Sequence, residues 1–329
     1  MSVFKKKYGL LFLLLLLPLT RLVSQEDWGF WAHKRVNRLA IYTLPPEMIV
    51  FFKENADWIT EHATDPDKRR YAIKEEAPRH YIDLDQYCKL PCTELPHYWK
   101  DAVEKYTEDT LMTHGIVPWH VTLMVFKLTE AFKQKNKNMI LKYSTELGHY
   151  VGDAHVPLHT THNYNGQLTG QKGIHGFWES RIPELFADID YDYFVGPAFY
   201  IASTQEFIWN AVLASHAAVD SVLLFERILT KQYEEDKKYT FEERANVTIK
   251  TYSYDFSKDY QAMLDNQVER RMRAAIIGVG SYWYTAWVNA GQPDLSSIAD
   301  APWSEEELKE FQALDAKLKE GKIFGHEHE

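Results

Sequence analysis

Residues 147–180 read LGHYVGDAHVPLHTTHNYNGQLTGQKGIHGFWES and hold five of the chain's 14 histidines. His149 and Asp153 stand four apart. His175 and Glu179 repeat that spacing, beyond a break at Pro157 and the loop-like run THNYNGQLTGQKG. Residues four apart on a helix share a face, so each pair presents an imidazole beside a carboxylate. His159 lies between the pairs. Neither pair alone completes a metal's coordination, so a fold that uses this stretch must bring the two helices together around it. The same spacing at His216 and Asp220, in FIWNAVLASHAAVDSVLL, has no other ligand type near it in sequence. There it reads as a hydrogen bond along a helix face.

The rest of the chain is patterned for helices. WAHKRVNRLAIYTL predicts a first helix, stopped by Pro45-Pro46, and EMIVFFKENADWITEHA a second. Residues 63–96, with four prolines, read as irregular. HYWKDAVEKYTEDTLMTH reads as a helix ended by Gly115. Pro118 suits the first turn of a segment running to about Gln134. NMILKYSTELGHYVGDAH is an amphipathic run, and HGFWESRIPELF restarts a helix after the loop. Helical patterns follow over about 197–229, 240–256, 262–290 and 303–320, with no convincing strand alternation and no internal repeat. The expectation is all-α: a multi-helix bundle with its metal chemistry between facing helices.

The chain opens MSVFKKKYGLLFLLLLLPLTRLVSQ, in which Lys5, Lys6 and Lys7 precede an apolar run too short to span a bilayer comfortably. This reads as a signal peptide over residues 1–27, cut between 24 and 27, and so as a secreted or periplasmic protein with no later transmembrane segment. Losing that leader removes four cations and two acids, moving the formal charge from -10 to -12. So acidic a surface argues against a generic nucleic-acid-coating role. A phosphate substrate stays open, because bound cations reverse the local field. One catalytic domain is expected over 28–322, with a disordered tail over 323–329 that leaves His326 and His328 solvated. No stable protein partner is implied. Cys88 and Cys92 could form a short-loop disulfide or stay apart. Two cysteines rule out a Cys-based zinc site, so any metal is held by nitrogen and oxygen.

WGFWAH, then HYID, then a His-x3-Asp helix running into GDAHVPLH, then IHGFWE, occur in that order over residues 28–185. In this order they resemble the superfamily of trinuclear-zinc phosphodiesterases, which includes zinc-dependent phospholipases C and single-strand-specific zinc nucleases. The resemblance implies up to three zinc ions in an all-helical bundle. Asp67 and His80 would bind the first with His149 and Asp153. Asp65, two residues before Asp67, is the alternative; the basic pair that follows favours Asp67. His159, His175 and Glu179 would hold the second. Trp28 and His33 would hold the third, with Asp153 bridging. Trp28 serves through its backbone carbonyl and free amino group, which requires it to be the mature N-terminus. His155 and His162 have no ligand role in the pattern; His155 would orient a ligand or face solvent. His62, His97, His114 and His120 read as structural.

The implied activity is hydrolysis of a phosphodiester by zinc-activated hydroxide, with Asp67 as the catalytic carboxylate that assists proton transfer. Glu179, where the nucleases carry Asp, and the compact loop from Thr160 to Ile174 point towards a phospholipase C-like substrate. The short interval from Trp28 to His33 points towards a single-strand-preferring nuclease. Bases could stack on Tyr164 or on Tyr282, Trp283, Tyr284 and Trp287, though GSYWYTAWVNAG reads first as an aromatic core helix. A secreted zinc-binding protein without activity is the third alternative; carboxylates in the donor set are more typical of catalytic zinc.

Overall fold

The computed structural model describes residues 30–244, 247–298, 302, 303, 305–318 and 326. The leader, its cut site, Trp28 and the tail apart from His326 lie outside the described residues.

Asn136 caps the helix that the rest of the fold surrounds: its side chain accepts the N–H of Met139 at 3.2 Å. That helix, Lys137–Ala154, is buried on every side from Ser144 to Ala154. Its sequence reads as amphipathic, but only its first two turns behave so. Helices Phe30–Ala40, Ala56–His62, Val117–Lys133, Thr204–Thr230 and Gln267–Asn289 all pack against it. A helix hydrophobic on one stripe cannot sit there, and its polar residues need partners from the surrounding helices. Trp283 shows how one is met: its Nε1 donates to the Ser144 carbonyl at 2.8 Å while its ring stacks on Phe52. Tyr282, Trp283 and Trp287 are buried, so this aromatic set is core.

Several expected helices are broken at single residues. The second divides at Asn55 into Pro46–Glu54 and Ala56–His62. The segment before Gly115 divides at Thr107, which takes φ 68°, into Trp99–Tyr106 and Glu108–His114. Residues 63–96 hold short turns of helix, Asp65–Arg69, Lys74–Arg79 and Leu84–Gln86. Residues 191–203 are irregular and the long helix starts only at Thr204, where Ser203 caps it.

The helix expected over 240–256 is instead an antiparallel hairpin, Tyr239–Arg244 with Val247–Tyr252, followed by helix Tyr254–Met263. VTIKTY is rich in β-branched residues, and only two residues separate the strands, the length of a tight hairpin turn. Tyr252 on its inner face stacks on Phe177 with ring centroids 3.8 Å apart. Tyr252, Phe256, Tyr260, Val268 and Met272 form a second core behind the turn that carries Glu179.

By length and composition Thr204–Thr230 is apolar enough to cross a membrane. Here it is a core helix. It packs on the turn Pro157–Thr160 and on the central helix, and it buries Glu226 in an ion pair with Lys238 at 2.7 Å. Cys88 and Cys92 are joined as a disulfide.

Candidate metal centre

Two glycines let the first helix reach the central one. A Cβ on Gly148 would lie 2.1 Å from Asn37 Oδ1, and one on Gly152 would lie 3.0 Å from His33 Nδ1. Gly148 and Gly152 are one turn apart, as are His33 and Asn37, so a small-residue groove receives two polar side chains. Asn37 then fixes its own helix by donating to the His33 carbonyl at 3.1 Å. The ring of His33 stacks on His149, with centroids 3.9 Å apart.

Around this contact the chain gathers eight of the nine residues named from the sequence. His33, Asp67 and His149 form one group of donors; His80, His149 and Asp153 a second; His159, His175 and Glu179 a third; His33, Asp153 and Glu179 a fourth. The ninth, Trp28, lies outside the described residues. Asp153 sits at the centre. Its Oδ2 is 3.0 Å from His80 Nδ1 and 3.4 Å from His149 Nε2, while its Oδ1 is 3.3 Å from His33 Nε2 and 3.9 Å from His159 Nε2. Glu179 divides its oxygens likewise: Oε2 is 2.7 Å from His175 and 3.4 Å from His159, and Oε1 is 3.5 Å from His33. Asp67 Oδ1 is 3.6 Å from both His80 and His149. Asp65, on the same short helix, turns away to His62 at 2.6 Å and Lys68 at 3.1 Å.

Backbone carbonyls set the histidine tautomers. His149 Nδ1 donates to Ala63 O at 2.9 Å, His159 Nδ1 to His80 O at 2.7 Å, and His175 Nδ1 to Tyr164 O at 3.0 Å. Each turns its Nε2 towards the carboxylates, the arrangement that orients metal-ligating imidazoles. The Ile82 N–H returns a bond to the His159 carbonyl at 2.9 Å, locking the turn of His80 to that of His159. Glu179 stands on a π-helical turn, Phe177–Arg181. The wider turn is typical of helices bent to a functional site.

The donor set fits divalent cations. Two ligands on one zinc, each about 2.1 Å from it, lie about 3.4 Å apart at a tetrahedral angle, and the separations around Asp153 cluster there. Asp153 Oδ1 is buried and makes no hydrogen bond. Burial alone would raise the Asp153 carboxyl, but His149, His159, His33 and His80 hold it well below the usual range. Glu179 is held low against burial by His159, His175 and His33. Burial likewise opposes protonation of His33 and His80, yet Asp153 with Glu179 and Glu76 respectively draws both above the ordinary imidazole range. His159 is drawn up by Asp153 and Glu179. His149, under burial and the charge of His33, is pushed down to about 4. The cluster is a buried sink for positive charge.

Sequence reasoning missed the layer beneath. Glu76, fully buried, accepts from Arg69 Nε at 3.2 Å and from the Tyr150 hydroxyl, and its Oε1 lies 3.6 Å from His80 Nε2. Arg69 also bonds Glu146 at 2.6 Å and Tyr150 at 3.0 Å. This buried network braces His80 and the central helix. Apart from that network, Arg70 Nη1 is 3.7 Å from Asp67. His155 is buried rather than facing solvent, and its Nδ1 donates to Val151 O at 2.7 Å. His216 bonds not along its helix but to Thr160 Oγ1 at 3.2 Å.

His326 departs most from expectation. Its ring is sandwiched between Tyr81 and Tyr164, with centroids 3.7 and 3.9 Å away and planes within 19° and 7° of parallel. Arg70 donates to its carbonyl, and its Nε2 is 3.8 Å from Asp83. No protein-family model matches the chain, and no curated protein matches it by sequence.

Proposed function

We propose that this protein is a zinc-dependent phosphoric diester hydrolase. The observation that carries the reading is the convergence of eight imidazoles and carboxylates from separate segments, with Asp153 and Glu179 each dividing their oxygens between neighbouring donor groups. Bound zinc ions supply a water of lowered pKa and neutralise charge on phosphate oxygens. Asp153 and Glu179, each shared between neighbouring donor groups, would hold the cations. The carbonyls of Ala63, His80 and Tyr164 keep the imidazoles aimed inward. Asp67, the most exposed member of the set at 18 % of its side chain, would take a proton from an incoming water. Arg70 stands beside it, its Nη1 3.7 Å from the Asp67 carboxylate.

A phospholipase C-like substrate is the leading reading. Tyr81 and Tyr164 form two facing ring surfaces, and Asp83 stands at their edge. Aromatic faces with a carboxylate suit a quaternary ammonium headgroup. One observation favours single-stranded nucleic acid instead: the slot now holds a flat ring, as it would a base. The acidic charge of -10 and the lack of a basic stripe weigh the other way.

The test compares zinc-loaded protein on phosphatidylcholine vesicles, on single-stranded DNA and on bis(p-nitrophenyl) phosphate, before and after chelation. Release of phosphocholine that chelation abolishes is expected. Cleavage of DNA alone selects the nuclease reading. Zinc binding with no hydrolysis of any of the three overturns the enzymatic reading and leaves a zinc-binding protein.

A further inference from the structure

We infer that Asp83, His162 and His326 form a separate divalent-cation site beside the main cluster, completed by His326. Asp83 Oδ2 lies 3.4 Å from His162 Nδ1 and 3.8 Å from His326 Nε2. These separations are long for hydrogen bonds but ordinary for donors sharing one ion. The three ligand atoms all lie within 4.8 Å of one another. The Asp83 side chain is only 2 % exposed, and its other oxygen, Oδ1, is buried without a hydrogen bond. A buried carboxylate oxygen left so is costly unless a cation or water meets it.

Two donors are in place without the tail. The Asp83 N–H bonds the His114 carbonyl at 2.7 Å, and His114 Nδ1 stands 3.6 Å from the same Oδ2. The His162 N–H donates to Asp85 at 2.9 Å. Asp83 and His162 are thus a half-site, and His326 completes it. Two imidazoles and one carboxylate select zinc, or a similar borderline cation, over calcium or magnesium.

The site shares no ligand with the main cluster, yet closing it has a consequence there. When His326 is bound its ring fills the Tyr81–Tyr164 slot and its carbonyl occupies Arg70, which also faces Asp67. Tyr164 carries the carbonyl that orients His175. Zinc at the outer site therefore holds the His326 ring where a substrate headgroup or base would lie, and excess zinc is expected to inhibit. This consequence rests on the proposed function; the site itself does not.

Equilibrium dialysis of the full chain against zinc tests the site. The unaltered protein is expected to bind one more zinc, with weaker affinity, than either His326→Ala or His162→Ala, each weakening that last step at least about tenfold while keeping the tighter ions. His328→Ala should bind as the unaltered protein does. Carboxypeptidase digestion reads the tail directly: zinc above the tight sites should protect it in the unaltered chain and not in His162→Ala. On bis(p-nitrophenyl) phosphate, inhibition by excess zinc should vanish in His326→Ala. Equal zinc counts and equal tail protection in all variants would overturn the site, as would loss of the weak ion in His328→Ala alone. Absence of hydrolysis would count against the proposed function only, because zinc counts and protection are read without it.

Discussion

Asp67 and Asp65 show what decides a role at the scale of one residue. Both stand on the same five-residue helix, and spacing alone left either as a ligand. Asp65 is neutralised by His62 and Lys68, whereas Asp67 faces His80 and His149. If Asp67 moves a proton as well as holding metal, Asp67→Asn lowers kcat on bis(p-nitrophenyl) phosphate by about 10²–10⁴-fold with a smaller fall in zinc content. Equal loss of both makes it a ligand only. His120 carries a second prediction. Burial pushes this imidazole down to about 3 from an ordinary value of 6.5, and its ring stands edge-on to Tyr150. Between those values the unfolded chain binds a proton that the folded chain refuses, so stability is lost as pH falls through that window. Urea midpoints measured near pH 7 and near pH 5 should differ less in His120→Phe than in the unaltered protein; an unchanged difference would show that His120 does not set the acid limb. The pairs His149/Asp153 and His175/Glu179 were legible because one helix holds both members. The Arg69–Glu76–Glu146–Tyr150 network was not, because its members come from distant segments and each looks like an ordinary surface residue.

Elements meet here through small residues. The approach of Phe30–Ala40 to the central helix needs Gly148 and Gly152, and LGHYVGDA carries that signal in plain view, hidden by the histidine and aspartate beside it. Gly148→Ala forces a methyl against the Asn37 amide. Overpacking of this kind costs about 1–3 kcal/mol, read as a lower urea midpoint; a midpoint within error of the parent would mean that the helices are not held at this contact. The long helices were readable because periodicity persists over several turns. The hairpin at 239–252 was not, since six-residue strands with one solvated face carry too few apolar positions to outvote a helical pattern. The breaks at Asn55 and Thr107 were illegible for a related reason: neither residue forbids helix, and packing alone places the interruption.

The described residues are mostly helix, arranged so that a single buried centre gathers candidate ligands from Phe30–Ala40, Asp65–Arg69, the turn at His80, Lys137–Ala154, Pro157–Thr160 and the segment from Ile174 to Arg181. Such a centre draws together segments between His33 and Glu179, and cations that bind only the folded state would stabilise it by mass action. In an acidic chain with a charge of -10, cations bound there would put positive charge at the centre rather than over the surface. The central claim is that these eight side chains hold a compact group of zinc ions. Elemental analysis of the purified, matured chain after exhaustive dialysis tests it most directly. Between about two and three tightly held zinc ions per chain are expected, falling when His149 or Asp153 is replaced by alanine; a folded chain that retains no zinc would contradict the account.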